Sequence, residues 1–207
     1  MQQLAACAVT EGAPDHAMLY RTAYVFLLRV RSEGLPIVSG AVGNADSPLL
    51  PGTHSCWSMV GKSLVLKLRR RKNKPHGSVL RRPCSCKFVL ACNCPVHGIG
   101  PWLKTLEPGS TPFAHISGAY ALAELRRRLT LLGIPDAEKY VLQDFRKGHA
   151  DDIRARGGTL REILEAGEWR SPAFLRYLDV NKMEADLFMI DHLEESEADS
   201  DNEAVAA

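Results

Sequence analysis

The segment that most constrains the fold of this 207-residue chain is residues 143–177, QDFRKGHADDIRARGGTLREILEAGEWRSPAFLRY. Its pattern predicts three short helices that present polar groups. Gly157 and Gly158 are expected to end the first helix, because glycine readily adopts the left-handed conformation that follows a helix. Thr159 and Glu162 have the spacing of a capping box, which opens the second helix.

The third helix of this segment is predicted to begin at Ser171. Serine is a favoured N-cap, and Pro172 then occupies the first helical position, where proline is tolerated. This places Tyr177 about a turn and a half into the helix. The side chains of Arg146, Trp169 and Tyr177 can therefore converge.

The charge of the chain is distributed unevenly. All 26 Lys and Arg residues precede residue 190, whereas seven of the 24 Asp and Glu residues follow it. Acidic residues are absent between Ser47 and Leu106, and eight basic residues fall within Lys67–Arg82. A field of one sign suits a polyanion, so the chain is predicted to bind nucleic acid.

Length and composition indicate one globular domain, with disordered residues 1–14 and a disordered acidic tail at 194–207. The longest apolar run, Tyr24–Leu28, is too short to span a membrane. The N-terminus lacks the basic and apolar regions of a secretory signal. We therefore expect an intracellular, reducing environment.

The remaining elements predict an α+β fold that is mainly helical. Asp15 is a plausible N-cap for a helix that continues through Glu33, and Ser117–Leu132 has a leucine stripe of helical period. The alternation at Leu64–Leu68 predicts a strand, and residues 72–77 a turn into a second strand, SVLRR. A small antiparallel β-hairpin should thus lie at one edge.

Five potential metal ligands lie within a short segment of the chain. They are Cys84, Cys86, Cys92, Cys94 and His97. Zinc needs four such ligands in a tetrahedron, but paired C-x-C is less diagnostic than paired C-x-x-C. Free buried thiols are the alternative, and we assign the chain no metal and no cofactor.

The segment around Arg146 resembles the catalytic core of the tyrosine recombinase and integrase family. The family's second box reads H-x-x-R, and Gln143-Asp144-Phe145-Arg146 matches it with Gln in place of His. Trp169 matches the family's following His or Trp. Tyr177 matches the nucleophile, eight residues after Trp169 where nine are expected.

Two further family motifs are matched with alternatives. The first box has an Arg followed closely by Ser-Glu, and Arg29 fits it best by its spacing to Ser32, with Arg31 as the second candidate. The hairpin lysine of the family, which reaches the DNA beside the scissile phosphate, corresponds to Lys72 or Lys74. A basic run of this kind is also typical of a general phosphate-binding or nuclear-import segment.

The resemblance implies a tyrosine-recombinase-like catalytic domain over residues 15–193. It also implies a catalytic set, namely Arg29, Lys72, Gln143, Arg146, Trp169 and Tyr177. Tyr177 would form a covalent 3′-phosphotyrosyl bond, the two arginines would hold the phosphate, and Lys72 would protonate the leaving 5′ oxygen. Gln143 can donate a hydrogen bond but cannot shuttle a proton at neutral pH.

The implied function is DNA breaking and rejoining, as in the site-specific recombination or integration of mobile elements. Double-stranded DNA is the expected partner, and the protein would be nuclear in a eukaryote. The predicted DNA-contacting residues are Arg69, Arg70, Arg71, Lys74 and His149. A C-terminal helix, Asn181–His192, would mediate self-association on DNA.

Two alternatives come from other functional classes. The first is a catalytically inactive DNA-binding remnant, or a fragment of a longer recombinase. The second is a nucleic-acid-binding adaptor that zinc stabilises through the Cys84–His97 segment.

Overall fold

A computed structural model describes residues 1–39, 55–71, 74–87 and 94–169. Its α-helices are α1 (Gln2–Thr10), α2 (Pro14–Val25), α3 (Gly100–Leu103), α4 (Gly118–Leu131), α5 (Asp144–Ala155) and α6 (Leu160–Gly167). Its strands are β1 (Ile37–Ser39), β2 (Ser55–Val60), β3 (Ser63–Leu68) and β4 (Ser78–Pro83). Two π-helical turns, Val30–Gly34 and Pro95–Ile99, and a 3-10 turn, Ala137–Lys139, complete the described elements. The predicted α+β class is confirmed.

The four strands form one sheet in the order β1-β2-β3-β4. Strand β1 pairs with β2 in parallel, and the other neighbouring pairs are antiparallel. The predicted hairpin is β3 and β4, in which Leu66 lies opposite Leu80. The alternating leucines of β3 are buried, as a strand with one face on the core requires. The turn at Gly61, where φ is 55° and the chain reverses from β2 into β3, was not predicted from the sequence.

The N-terminal segment is helical, and the prediction that residues 1–14 are disordered is wrong. Helix α1 buries Leu4, Ala5 and Ala8 in the main core. Two of these are alanines, and their small side chains give a weak hydrophobic signal in the sequence. Their size nevertheless allows α1 to pack closely, and α1 contacts α2 and α4.

Helix α2 is shorter than predicted, because it ends at Val25 rather than continuing to Glu33. Its residues are largely buried, as its nearly uniform apolar sequence indicates. The helix ends because Leu27 adopts a left-handed conformation with φ of 50°, and the Leu28 N–H then donates to the Ala23 carbonyl at 2.9 Å. A leucine seldom adopts this conformation, so the sequence carries no clear signal for the end of α2.

The first compact unit of the chain, residues 1–149, contains the sheet and the main core. Helix α4 agrees with the prediction, and the Ser117 side chain caps it by accepting from the Tyr120 N–H at 3.1 Å. Trp57, Trp102 and Phe113 pack with ring centroids 5.5–5.7 Å apart. This aromatic cluster packs Trp57 of β2 against Trp102 and Phe113, which follow the sheet in the chain.

The second compact unit, residues 150–207, is described up to Trp169. The predicted capping box opens α6: the Thr159 hydroxyl accepts from the Glu162 N–H at 3.2 Å, and the Glu162 carboxylate accepts from the Thr159 N–H at 2.7 Å. Gly157 has φ of 79° just after α5, as predicted. The unit has its own small core, in which the buried residues are Ala150, Leu160 and Ile163.

Within these described residues, no helix is long and apolar enough to cross a membrane. The predicted helix at Ser171, the C-terminal helix Asn181–His192 and the acidic tail at 194–207 lie outside the described ranges. The prediction of a single domain over residues 15–193 extends into the same region and remains a prediction.

A cluster of charged residues joins α1 to α4. Arg128, only 1% exposed, contacts Glu11 at 2.9 Å and Glu124 at 2.8 Å, and it donates to the Tyr20 hydroxyl at 3.1 Å. Arg127 pairs with the same two carboxylates but is 45% exposed. Arginine lowers the pKa of both Glu11 and Glu124, and hydrogen bonds from Arg127 are the largest cause.

We predict that Arg128→Ala lowers the free energy of unfolding by about 3 kcal/mol, because it removes a buried cation and leaves a cavity. The matched variant Arg127→Ala removes the exposed partner of the same carboxylates, and it should lower the free energy of unfolding much less, because water screens an exposed ion pair. Urea denaturation of both variants checks this. Equal losses would show that burial of Arg128 contributes nothing.

Candidate functional site

The first π-helical turn presents Arg29, the predicted first-box arginine. Leu27 turns the chain out of α2, and Arg29 then has an extended backbone and caps the turn Val30–Gly34. The Glu33 carboxylate accepts from the Arg29 backbone N–H at 2.9 Å and from its guanidinium at 3.0 Å. Arg29 is thus held at both ends, while 31% of its side chain is exposed.

Glu33 also binds Arg71, which comes from the end of the β3–β4 hairpin. The Arg71 guanidinium donates to the Glu33 carboxylate at 3.2 and 3.3 Å and to the Leu27 carbonyl at 3.2 Å. Glu33 is 2% exposed and Arg71 is 6% exposed. One buried carboxylate therefore links the turn after α2 to the hairpin. Arg71 was predicted to contact DNA, and its burial argues against a surface role.

Arg29 lines two cavities of the first unit. The first, of about 440 Å³, is also lined by Ser32, Glu33, Arg70 and Arg71. The second, of about 350 Å³, is lined by Arg31 and Gln143 as well as Arg29. The first-box candidate Arg29 and Gln143, which stands where the family's second box has His, thus line one cavity, whereas Arg146 does not line it. Arg31, the other first-box candidate, lines the same cavity.

Helix α5 carries the rest of the second box. Arg146 lies one turn beyond Gln143, and its backbone N–H donates to the Gln143 carbonyl at 3.0 Å. Arg146 is 2% exposed, so its guanidinium belongs to the interior of the first unit. The ring of His149 packs on Tyr24 with centroids 4.6 Å apart. His149, predicted to contact DNA, is therefore a partly buried residue whose ring packing fixes its orientation.

Trp169 lies just after α6 in the second unit. It packs on the small core of that unit, with Leu164 and Ile153. A Cβ atom on Gly167 would overlap the Trp169 ring, so the glycine is required for the ring to lie where it does. Glu168 between them has φ of 50°. The GEW sequence thus positions Trp169 against its own helix.

The hairpin supplies the remaining basic residues. Arg69 and Arg70 are exposed, and Lys74 is partly buried. The Arg71 and Lys74 backbones pair with each other at 3.1 Å in both directions, which closes the turn between the strands. Lys72 and the predicted nucleophile Tyr177 lie outside the described residues. Their predicted roles therefore remain predictions.

A second cluster of functional groups lies at the other end of β4. It consists of Cys84, Cys86, Cys94 and His97, whose ligand atoms all lie within 4.8 Å of one another. The His97 Nδ1 atom is 3.5 Å from Cys84 Sγ, 3.0 Å from Cys86 Sγ and 3.4 Å from Cys94 Sγ. Cys84 Sγ and Cys94 Sγ are 3.7 Å apart. We call this group the Cys3His cluster.

The backbone around the Cys3His cluster holds its sulfur atoms in place. The Ser85 N–H donates to Cys94 Sγ at 3.3 Å, and the Cys84 N–H donates to the Lys62 carbonyl at 3.0 Å. Burial opposes ionisation of the Cys94 thiol, but backbone N–H groups of His97 and Ser85 outweigh it and lower its pKa to about 5. The pKa of Cys86 is raised to about 12, by desolvation and then by hydrogen bonds with Cys94 and Cys84.

Sequence reasoning identified Arg29 and the cysteines but missed two features. It noted Glu33 only as part of a motif, whereas an Arg and a Glu four residues apart, Arg29 and Glu33, already signal an ion pair. It also discounted zinc because of the C-x-C spacing, although Cys94-Pro95-Val96-His97 has an ordinary C-x-x-H spacing for one metal ion.

Comparison with protein-family models, with curated proteins and with solved structures found no match to this chain.

We predict that Glu33→Gln lowers the free energy of unfolding by about 3 kcal/mol, because Arg71 would stay buried without its counter-charge. The matched control is Glu165→Gln, which removes an exposed carboxylate that pairs with Arg161 in α6 at 2.9 Å. That substitution should change the free energy of unfolding by less than about 0.5 kcal/mol. Urea denaturation measures both, and indistinguishable losses would contradict the linking role of Glu33.

Proposed function

We propose that this protein breaks and rejoins DNA strands through a covalent 3′-phosphotyrosyl intermediate, as tyrosine recombinases do. One observation carries the proposal: Arg29, the candidate for the family's first box, and Gln143, which stands in the second box where the family has His, line one cavity. They are more than a hundred positions apart in the chain, so their meeting does not follow from local sequence.

Arg29 is suited to bind a DNA phosphate. Charge accumulates on the non-bridging oxygens of a phosphodiester when it is attacked, and a fixed cation stabilises that charge. Glu33 orients the Arg29 guanidinium, while 31% of the side chain remains exposed to reach an incoming phosphate. Arg70 lines the neighbouring cavity and is exposed, so it extends the basic surface along the DNA.

Gln143 would donate its amide N–H to the same phosphate. An amide cannot exchange a proton at neutral pH, so the role of general base passes to another group or to water. Arg146, which follows on α5, is buried and would support the site from within the first unit. Its charge adds to the positive potential that attracts a phosphate.

In the proposed reaction the Tyr177 hydroxyl loses its proton to water as its oxygen attacks the phosphorus, and the bond from the phosphorus to the 5′ oxygen breaks. Lys72, or Lys74 beside it, would give its proton to that leaving oxygen, and Trp169 would donate its indole N–H to the phosphate. Self-association through residues 181–192 would join protomers on DNA. These roles rest on the family resemblance alone.

The direct test is trapping of a covalent adduct on a nicked duplex, from which the cleaved fragment diffuses away. We predict that the wild-type chain forms the adduct and that Tyr177→Phe abolishes it. Affinity for the duplex should change less than about twofold, because phosphate contacts dominate binding. Denaturing gels and a binding titration at one fixed salt concentration provide the two readouts.

Tyr140→Phe is the matched control, since Tyr140 is a partly exposed tyrosine in the first unit. It should form the adduct at the wild-type rate. If Tyr140→Phe abolishes the adduct and Tyr177→Phe does not, the nucleophile is Tyr140. If the wild-type chain binds DNA without any adduct, the protein is a DNA-binding remnant and the proposed chemistry is wrong.

A further inference from the structure

We infer that Cys84, Cys86, Cys94 and His97 bind one zinc ion that clips the end of β4 to the π-helical turn Pro95–Ile99. The inference does not depend on the proposed DNA chemistry. It rests on the placement of four ligand atoms, which come from two segments separated by seven residues of the chain.

The spacing of the ligand atoms fits a single tetrahedral zinc ion. Zinc lies about 2.3 Å from sulfur and about 2.0–2.1 Å from nitrogen, so tetrahedral angles separate its ligands by about 3.6–3.8 Å. The separation of Cys84 Sγ and Cys94 Sγ is 3.7 Å. The three distances from the sulfur atoms to His97 Nδ1 are 3.0–3.5 Å, and small rotations of the side chains would bring them to the ideal values.

The type of ligand selects zinc over other common cations. Three thiolates and one imidazole are soft or borderline ligands, whereas magnesium and calcium require oxygen. Four protein ligands close the tetrahedron, so no coordination position is left for water or a substrate. The ion would therefore be structural rather than catalytic.

The surroundings of the cluster resemble the outer shell that a structural metal site needs. Ser85 donates its backbone N–H to Cys94 Sγ, as expected for a sulfur that carries negative charge. The Gly98 N–H donates to the Cys94 carbonyl at 2.7 Å, which fixes the turn between Cys94 and His97. The same turn is anchored in the main core by Ile99, which is 1% exposed.

The position of the cluster indicates what the zinc ion would stabilise. Strand β4 is the last strand of the sheet, and it pairs with β3 alone among the described strands. Cys84 follows β4 directly, and His97 lies in a turn that contacts α2, β3 and β4. A metal bond between them would hold the outer strand of the sheet to the core, at the end opposite the basic hairpin turn.

The experiment measures zinc in the purified full chain, prepared under reducing conditions. We expect about one zinc per chain in the wild type, and at least about a tenfold loss of zinc in Cys94→Ser and in His97→Ala. Replacement by Co²⁺ should give the sulfur-to-cobalt charge-transfer absorption and the intense visible bands of a tetrahedral site. A different metal bound by the same four residues would overturn the assignment to zinc.

Two further variants test cysteines that we expect not to bind the ion. Cys7→Ser changes a thiol in α1 and should retain one zinc per chain. Cys92→Ser changes the remaining cysteine between the two ligand pairs, and it should also retain zinc because the other four ligands complete the tetrahedron. Loss of zinc from Cys92→Ser equal to that from Cys94→Ser would overturn the four-ligand assignment.

If the zinc ion is structural, its removal by a chelator should destabilise the protein mainly near β4. Removal of zinc should lower the Tm and increase hydrogen exchange of the β4 amides, with less change in α4, and added zinc should restore both. The inference fails if the reduced wild-type chain is folded and binds neither zinc nor cobalt. It also fails if mass spectrometry of the purified protein shows a disulfide between Cys84 and Cys94.

Discussion

The buried carboxylate of Glu33 is the interaction on which the candidate site depends. It binds Arg29 from the turn after α2 and Arg71 from the end of the β3–β4 hairpin, and it is 2% exposed. A buried charge is costly unless it is paired and hydrogen-bonded, so Glu33 requires both arginines to be in place. This requirement fixes the hairpin beside the turn, and it determines which arginine remains exposed toward the cavities.

The two ends of the hairpin lie beside groups of different chemistry. Near the turn between β3 and β4, the ion pair of Arg71 with Glu33 ties the strands to the segment after α2. Beyond the C-terminal end of β4, the Cys3His cluster lies against the turn that follows Cys94. An outer strand of a small sheet has few packing partners, and the ion pair at one end together with the inferred zinc ion at the other would compensate for this. In the proposed function, this support would present the exposed Arg69 and Arg70 to DNA.

The sequence predicted those features that depend on local signals. Helix α4, the capping box of α6 and the β3–β4 hairpin each have a strong periodic or capping pattern, and each is confirmed. Helix α1 was missed because its buried face is made of small side chains. The end of α2 was missed because it depends on a left-handed conformation at Leu27, which a leucine seldom adopts.

The candidate site likewise has features that the sequence predicts and features that it does not. Motif matching identified Arg29 and Gln143, but their meeting in one cavity depends on how α2 and α5 pack, which no local pattern encodes. The burial of Arg71 could not be predicted either, because a run of basic residues indicates a surface patch.

The most direct measurement compares the rate of adduct formation on a nicked duplex by Arg29→Ala and Arg31→Ala, since both arginines line the cavity that Gln143 also lines. If Arg29, oriented by Glu33, binds the phosphate, Arg29→Ala should slow the reaction by about 10²-fold or more and Arg31→Ala by less than about tenfold. Equal losses, or a larger loss in Arg31→Ala, would contradict the account.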